Sequence, residues 1–147
     1  MPGHERRLGI FGENLTVEGM LEDEVHIGDR FAVGSAEVVV TQPRLPCYKL
    51  GVRLEADDLV KLFFESRRTG FYVAVTSEGK VAAGDAIART ARGSEGVSVA
   101  DITRLYAEKR YSEADFAVLR RALKVAALPE SWTEYLRERL GRVPRSE

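Results

Sequence analysis

The cysteine at position 47 is the only one in the chain, and it follows two prolines at the end of a β-type stretch. Pro43 and Pro46 each fix their own φ and push the preceding residue into an extended conformation, so this loop is expected to be stiff. A thiol held near two cations, Arg44 and Lys49, is expected to ionise more readily than a free thiol. The thiolate is both a nucleophile and a ligand for soft metals. The spacing therefore predicts a reactive Cys47, beside the alternative that Cys47 only packs as a small apolar side chain.

Composition excludes several classes of protein. The chain has 147 residues, 44% of them hydrophobic and 31% charged, and its formal net charge is −1. No apolar run approaches the roughly 20 residues that a membrane helix needs, and no clustered basic charge favours nucleic acid or an anionic membrane. One cysteine allows no internal disulfide, and two distant histidines give no zinc-ligand spacing. These features predict a cytoplasmic globular protein without nucleic-acid or membrane partners.

The residues up to about position 93 are predicted to be mainly β. β-Branched and aromatic residues favour strands at 36–42 and 69–76, and alternation along the second places Tyr72 on one face. Between these strands the pattern predicts a short helix at 59–66, capped by Asp57 or Asp58.

Two further features of the β part concern its turns. The turn-prone sequence Gly12-Glu13-Asn14 offers polar groups that bind either a ligand or their own backbone. The sequence Ile27-Gly28-Asp29 also has a later counterpart in Ala83-Gly84-Asp85. This similarity predicts two equivalent corners of one closed or nearly closed sheet.

The last third of the chain is predicted to form three helices that pack together. Each helix has a capping-box pattern, in which a serine is followed three residues later by an acidic residue. Apolar residues then recur at helical spacing, and the aromatic ones are interpreted as core rather than as a ligand cage. We therefore predict two separately packed domains, at 1–93 and 97–141. The capping patterns are Ser98 with Asp101, Ser112 with Asp115, and Ser131 with Glu134.

Five motifs in the same order resemble the MOSC domain family over about residues 8 to 90. The helical part resembles, more weakly, the three-helix domain attached to one bacterial branch of that family, over about residues 97 to 141. The motifs are Gly12-Glu13-Asn14-Leu15-Thr16-Val17-Glu18-Gly19, Val25-x-Ile27-Gly28-Asp29, Val40-Thr41-Gln42-Pro43-Arg44-x-Pro46-Cys47, Arg68-Thr69-Gly70-Phe71-Tyr72 and Ala83-Gly84-Asp85.

The resemblance implies a fold and a chemistry. The fold would be mainly β with an α appendage, a MOSC-like β-barrel followed by a small three-helix domain. The barrel would bind the molybdenum cofactor (molybdopterin), with Cys47 as catalytic residue and metal ligand. The resemblance further implies reduction of N-hydroxylated compounds, with electrons from an external donor protein. The positions that match cofactor-binding motif positions are Glu13, Asn14, Arg44 and Tyr72.

The sequence departs from the family at its start, because family members have further strands before the segment that begins here at Phe11. Three explanations stay open: the chain is a fragment, its true start lies further upstream, or a shortened barrel pairs its exposed edges with another copy and forms a homo-oligomer. Two other functions stay open. Cys47 would carry a persulfide as a sulfur carrier for metal–sulfur assembly, or the domain would be a non-catalytic barrel.

Overall fold

The computed structural model describes residues 9, 11–47, 49, 52, 58–142 and 144. Within them the chain forms a four-stranded sheet, one short helix between the second and third strands, and three helices after the sheet. No helix in this described part is long and apolar enough to cross a membrane. The elements in chain order are β1 (Arg30–Val33), β2 (Ala36–Pro43), α1 (Leu59–Ser66), β3 (Phe71–Ser77), β4 (Ile87–Ala91), α2 (Val99–Ala107), α3 (Glu113–Ala122) and α4 (Glu130–Arg142).

The sheet is antiparallel, and its spatial order is β3-β2-β1-β4. Phe31 of β1 lies opposite Val38 of β2, and Val40 lies opposite Val73 of β3. The four described strands do not close on themselves, so β3 and β4 are both edges of an open sheet. The predicted class, a β part followed by three helices, is confirmed. The closed form of the predicted barrel is not observed, because no described strand joins the two edges.

A single hydrophobic core joins the sheet to the three C-terminal helices. Val38 and Val40 alternate along β2 toward one face of the sheet, where they meet the fully buried Ile102 and Leu105 of α2. The core thus includes residues of both predicted domains, a contact that local helical patterns do not reveal because they do not show which surface a helix covers. The buried members of this core include Val25, Ile27, Phe31 and Val33 from the sheet part, and Val97, Val99, Phe116, Leu119 and Leu136 from the helical part.

Backbone hydrogen bonds also link the two parts where the helical region begins. The amide of Ile27 donates to the carbonyl of Val97, and the amide of Val99 donates to the carbonyl of Val25, both at 2.9 Å. The segment that leads into α2 thus runs beside the segment that leads into β1. The domain limits of 1–93 and 97–141 stay a prediction.

Two of the three predicted capping boxes are confirmed. Ser98 and Ser112 each accept a hydrogen bond from the amide three residues later, and the acidic side chain at that position accepts one from the serine amide. The prediction of a capping box at Ser131 is wrong, because α4 already begins at Glu130. The carbonyl of Pro129 accepts the amides of the next turn, which leaves Ser131 inside the helix.

The short helix α1 has the predicted bounds, Leu59–Ser66. Its N-cap residue is Asp58, but the Asp58 side chain makes no capping hydrogen bond. The alternative cap, Asp57, lies outside the described residues. The helix ends at Arg67, whose φ of 56° is the left-handed conformation that commonly terminates helices.

The two Gly-Asp corners have the same local geometry. Asp29 Oδ2 accepts the amide of His26 at 3.0 Å, and Asp85 Oδ2 accepts the amide of Ala82 at 2.8 Å. The glycine before each aspartate has a φ near +90°, at 92° and 90° respectively, which side chains other than glycine rarely adopt. The two corners therefore share their local geometry, but the described sheet is open rather than closed, and the two aspartates differ mainly in burial.

This difference in burial gives a direct prediction. Asp29 is fully buried, accepts the amide of Gly93 at 2.7 Å, and lies 3.3 Å from Nε of Arg89. We expect Asp29→Ala to lower the free energy of unfolding in urea by about 3 kcal/mol, because it leaves a partly buried cation and two amides without their acceptor. The matched variant Asp85→Ala removes an exposed turn contact and should cost about 1 kcal/mol or less. Equal losses in the two variants would contradict this account of Asp29.

Candidate functional site

The loop that carries Cys47 is anchored where it leaves β2. Pro43 is buried and lies opposite Phe71 at the start of β3, and the amide of Arg44 donates to the carbonyl of Gly70 at 3.0 Å. The pairing of β2 with β3 thus continues to the first residue of the loop. Cys47 follows three residues later and is exposed.

The exposure of Cys47 bears on two of the interpretations. A cysteine that only packs is usually buried, so the exposed side chain favours the prediction of an accessible thiol. Among the residues described, no group of three or more His, Cys, Asp and Glu side chains is placed to hold a metal ion. The ligand that this loop can offer to a soft metal is the single thiolate of Cys47.

The structure brings Arg44 together with the turn that contains Glu13. Nη2 of Arg44 donates to the carbonyl of Phe11. Within that turn, Glu13 Oε1 accepts the amide of Gly9 at 2.6 Å and the hydroxyl of Thr16 at 3.1 Å, while Oε2 accepts the amide of Phe11 at 3.1 Å. The Glu13 carboxylate is thus engaged by its own turn, one of the two roles that the sequence left open. Arg44 ties this turn to the Cys47 loop.

Hydrogen bonds keep the Glu13 side chain charged. The bond from its own backbone amide is the largest effect that lowers the pKa of Glu13, and bonds from Gly9, Thr16 and Phe11 add to it, against a smaller opposing effect of burial. A carboxyl group with a lowered pKa is ionised at neutral pH. The site therefore has a fixed negative charge on the turn that the Arg44 cation contacts.

The other two predicted site residues are accessible but not joined to this network. Asn14 is exposed beside Glu13. Tyr72 is 52% exposed on β3, where it lies opposite Gln42, and its carbonyl accepts the hydroxyl of Thr41 at 3.2 Å. Within the described part of the chain, no hydrogen bond or ion pair given by the structure joins Cys47 to Glu13, Asn14, Arg44 or Tyr72.

The sequence did not predict a contact between the last helix and the end of β2, beside the Cys47 loop. Trp132 of α4 donates from Nε1 to Oε1 of Gln42 at 2.8 Å, which fixes the last helix against the end of β2. Nothing local marks this contact, because the two residues are 90 positions apart. A shallow cleft of about 170 Å³ lies next to it, lined by Leu45, Tyr106, Ser131, Trp132 and Tyr135.

A second missed feature is the role of Arg68, which begins one of the sequence motifs. Its Nη1 contacts Glu22 Oε2 at 3.1 Å and Asp23 Oδ1 at 3.0 Å, and the amide of Gly70 donates to Glu22 Oε1 at 2.9 Å. The hydrogen bond from Arg68 lowers the pKa of Asp23. These contacts hold the start of β3 against the turn at 21–24, so this motif supports the fold.

Comparison with known proteins agrees with this architecture. Residues 1–88 match the MOSC domain, and the chain belongs to the MOSC domain family. Residues 97–142 match the YiiM-like, 3-alpha helix domain, which confirms the second resemblance.

Individual relatives match most of the chain. The chain is 41% identical over 123 residues to the uncharacterized protein YflK of Bacillus subtilis, which covers 83% of this chain and 54% of that protein. It is 33% identical over 129 residues to the protein YiiM of Escherichia coli, covering 88% and 56%. A protein of Gibberella moniliformis named reductase is 30% identical over 106 residues, covering 71% of this chain and 19% of that protein. The chain thus spans about half the length of the first two relatives.

Solved structures give the same result. The crystal structure of YiiM from Geobacillus stearothermophilus is 35% identical, with a TM-score of 0.86 over 95% of this chain and 70% of that chain. YiiM from Escherichia coli is 31% identical, with a TM-score of 0.74 over 85% and 61%. The arrangement of the sheet and the three C-terminal helices is therefore that of YiiM.

Proposed function

We propose that the chain binds the molybdenum cofactor through the Cys47 thiolate and reduces N-hydroxylated compounds. The observation that carries the proposal is the exposed cysteine on an anchored loop in a chain of the MOSC domain family. The relative named reductase supports the class of reaction. A cytoplasmic location and an external electron-donor protein belong to the same proposal.

The residues of the site fit such a cofactor in three respects. Cys47 offers one soft ligand, and the described residues form no competing metal site of their own. Arg44 and the exposed Lys49 flank the thiol in sequence and provide positive charge for a phosphate or a pterin. Asn14 and Tyr72 are accessible to a ligand.

The proposed reaction takes two electrons and two protons, breaks the N–O bond of the substrate, and gives the amine and water. When bound, the cofactor supplies the two-electron redox chemistry. Cys47 would bind the metal, and Arg44 would orient the pterin or the phosphate. The ionised Glu13 keeps the turn at 11–16 in place against Arg44.

The sulfur-carrier alternative uses the same exposed thiol. A carrier would be isolated without pterin and with a sulfane sulfur on Cys47, which reacts with cyanide to give thiocyanate. The cofactor-binding protein would instead be isolated with pterin and molybdenum. Measuring the thiocyanate released by cyanide, and the pterin and molybdenum contents, of the purified chain distinguishes these two functions.

Arg44→Ala tests the proposed binding of the cofactor. We expect cofactor loss during gel filtration to become ten- to a hundredfold faster, because a cation on the same loop as the proposed metal ligand is removed. Arg30→Ala serves as a matched control, since Arg30 is a half-exposed arginine paired with Glu37 on the sheet. The measurement is pterin fluorescence of the retained fraction. Equal retention in both variants would contradict the role of Arg44.

A further inference from the structure

Three aromatic rings pack together at the cleft beside the Cys47 loop. The ring centroid of Tyr106 in α2 lies 5.9 Å from that of Trp132 and 5.5 Å from that of Tyr135, both in α4. Phe64 of α1 stacks on Tyr106 at 5.8 Å, which supports this ring from a third helix. Trp132 belongs to the buried core, as predicted, whereas Tyr106 is 38% exposed. The aromatic cluster thus has an open side, which is the cleft.

The polarity of the cleft favours an uncharged ring. Among the described residues that line it, none carries a formal charge. Burial raises the pKa of Tyr135, against a smaller lowering by Arg139, so this phenol is neutral at neutral pH. A carboxylate or a phosphate would lose its water here without gaining a charged partner. A cation would be repelled by Arg139, which already lies 5.9 Å from the centre of the Tyr135 ring.

The size of the cleft suits a single aromatic ring with a small substituent. An apolar cavity of about 150 Å³ holds one benzene molecule. The cleft, at about 170 Å³, offers slightly more room. This volume is too small for a strand or a helix of another protein. Aromatic walls also suit a flat ring, because aromatic rings attract one another in edge-to-face and offset arrangements.

The position of the cleft relates it to the proposed metal ligand. Leu45 lines the cleft and precedes Cys47 by two residues, so the two Cα atoms lie at most about 7 Å apart. The hydrogen bond from Trp132 to Gln42 fixes α4 beside the strand that leads into this loop. A ring in the cleft therefore leaves an attached N-hydroxyl group within reach of Cys47.

We propose that this cleft binds the uncharged aromatic ring of an N-hydroxylated substrate, and that Tyr106 and Tyr135 set a preference for aromatic over aliphatic compounds. This role rests on the proposed reduction and adds to it the residues that select among substrates. The helical part of the chain thus takes part in substrate selection, while the β part carries the thiol.

Binding of the ring is tested on the full chain without cofactor. The chain has one tryptophan, so its indole N–H gives a single NMR signal, which belongs to Trp132. We expect benzamide to shift this signal with a dissociation constant of about 1–10 mM, and acetamide, which lacks the ring, to leave it unchanged. Tyr106→Ala should weaken benzamide binding at least about fivefold, because a ring contact is lost, whereas Tyr106→Phe keeps the ring and should bind as the wild type does. No saturable shift with benzamide would overturn the proposal.

Selection between substrates is tested with the cofactor-loaded chain. Benzamidoxime and acetamidoxime carry the same N–O group and differ in the ring. We expect Tyr106→Ala to lower the ratio of their kcat/KM values at least about fivefold, through the KM of benzamidoxime, whereas Leu140→Ala on the same helix as Trp132 should leave the ratio unchanged. An unchanged ratio in Tyr106→Ala would overturn the proposal. Turnover of neither compound would overturn the proposed reduction and with it the substrate role of the cleft, while the indole titration, which needs no cofactor, still reports ring binding.

Discussion

Replacing Cys47 with serine is expected to lower the turnover of an N-hydroxylated base at least about a hundredfold. Even the residues around a metal ligand affect affinity or activity by ten- to a hundredfold, so loss of the ligand itself should have at least this effect. A hydroxyl is a harder and much less acidic ligand than a thiol, and it suits a soft-ligand position poorly. Because the cysteine is exposed, the free energy of unfolding should change by less than about 0.5 kcal/mol.

The assay uses the full chain purified with cofactor and a reduced viologen as electron donor, with product amine measured by chromatography. The surface variant Arg30→Ala should retain wild-type turnover, since it removes only the ion pair with Glu37. Wild-type turnover in Cys47→Ser would show that the thiolate is not the metal ligand. The sulfur-carrier and structural roles of Cys47 would then have to be reconsidered.

Deleting residues 98–147 is expected to unfold the sheet. The buried core that the structure describes has eighteen residues, of which eleven lie in this segment. A fully buried apolar side chain contributes about 1.5–3 kcal/mol, whereas a whole domain is stable by only about 5–15 kcal/mol. The amide NMR signals of the shortened chain should therefore lack the chemical-shift dispersion of a folded protein.

Two point variants of the full chain check that this result comes from the core. Leu105→Ala, at a fully buried position of α2, should lower the free energy of unfolding by about 2–5 kcal/mol. Leu140→Ala, at a partly exposed position of α4, should cost much less. A well-dispersed spectrum and cooperative unfolding of the shortened chain would instead support two independent domains, as predicted from the sequence at 1–93 and 97–141.

Local sequence patterns predicted the elements because local interactions form them. The bounds of α1 and the capping boxes at Ser98 and Ser112 depend on residues within one helical turn. The box at Ser131 failed because the carbonyl of Pro129 already accepts the first amides of α4. A pattern of residue types alone does not distinguish a helix capped by Ser131 from one that begins at Glu130.

The assembly of the parts could not be predicted in the same way. The single core and the Trp132–Gln42 hydrogen bond join segments that are far apart in sequence, so no short pattern reports them. For the site, the sequence located the Cys47 loop and the Glu13 turn but left two roles open for Glu13. The hydrogen bonds to Gly9 and Phe11 show that its carboxylate holds its own turn.

The molybdenum and pterin contents of the wild-type chain and Cys47→Ser, expressed side by side with added molybdate, test the central proposal most directly. We expect wild-type protein with molybdenum and pterin in equal amounts, and Cys47→Ser with pterin but little molybdenum, because the serine removes the only protein ligand proposed for the metal. Background levels of both in the wild-type chain, or equal molybdenum in the two proteins, would contradict it.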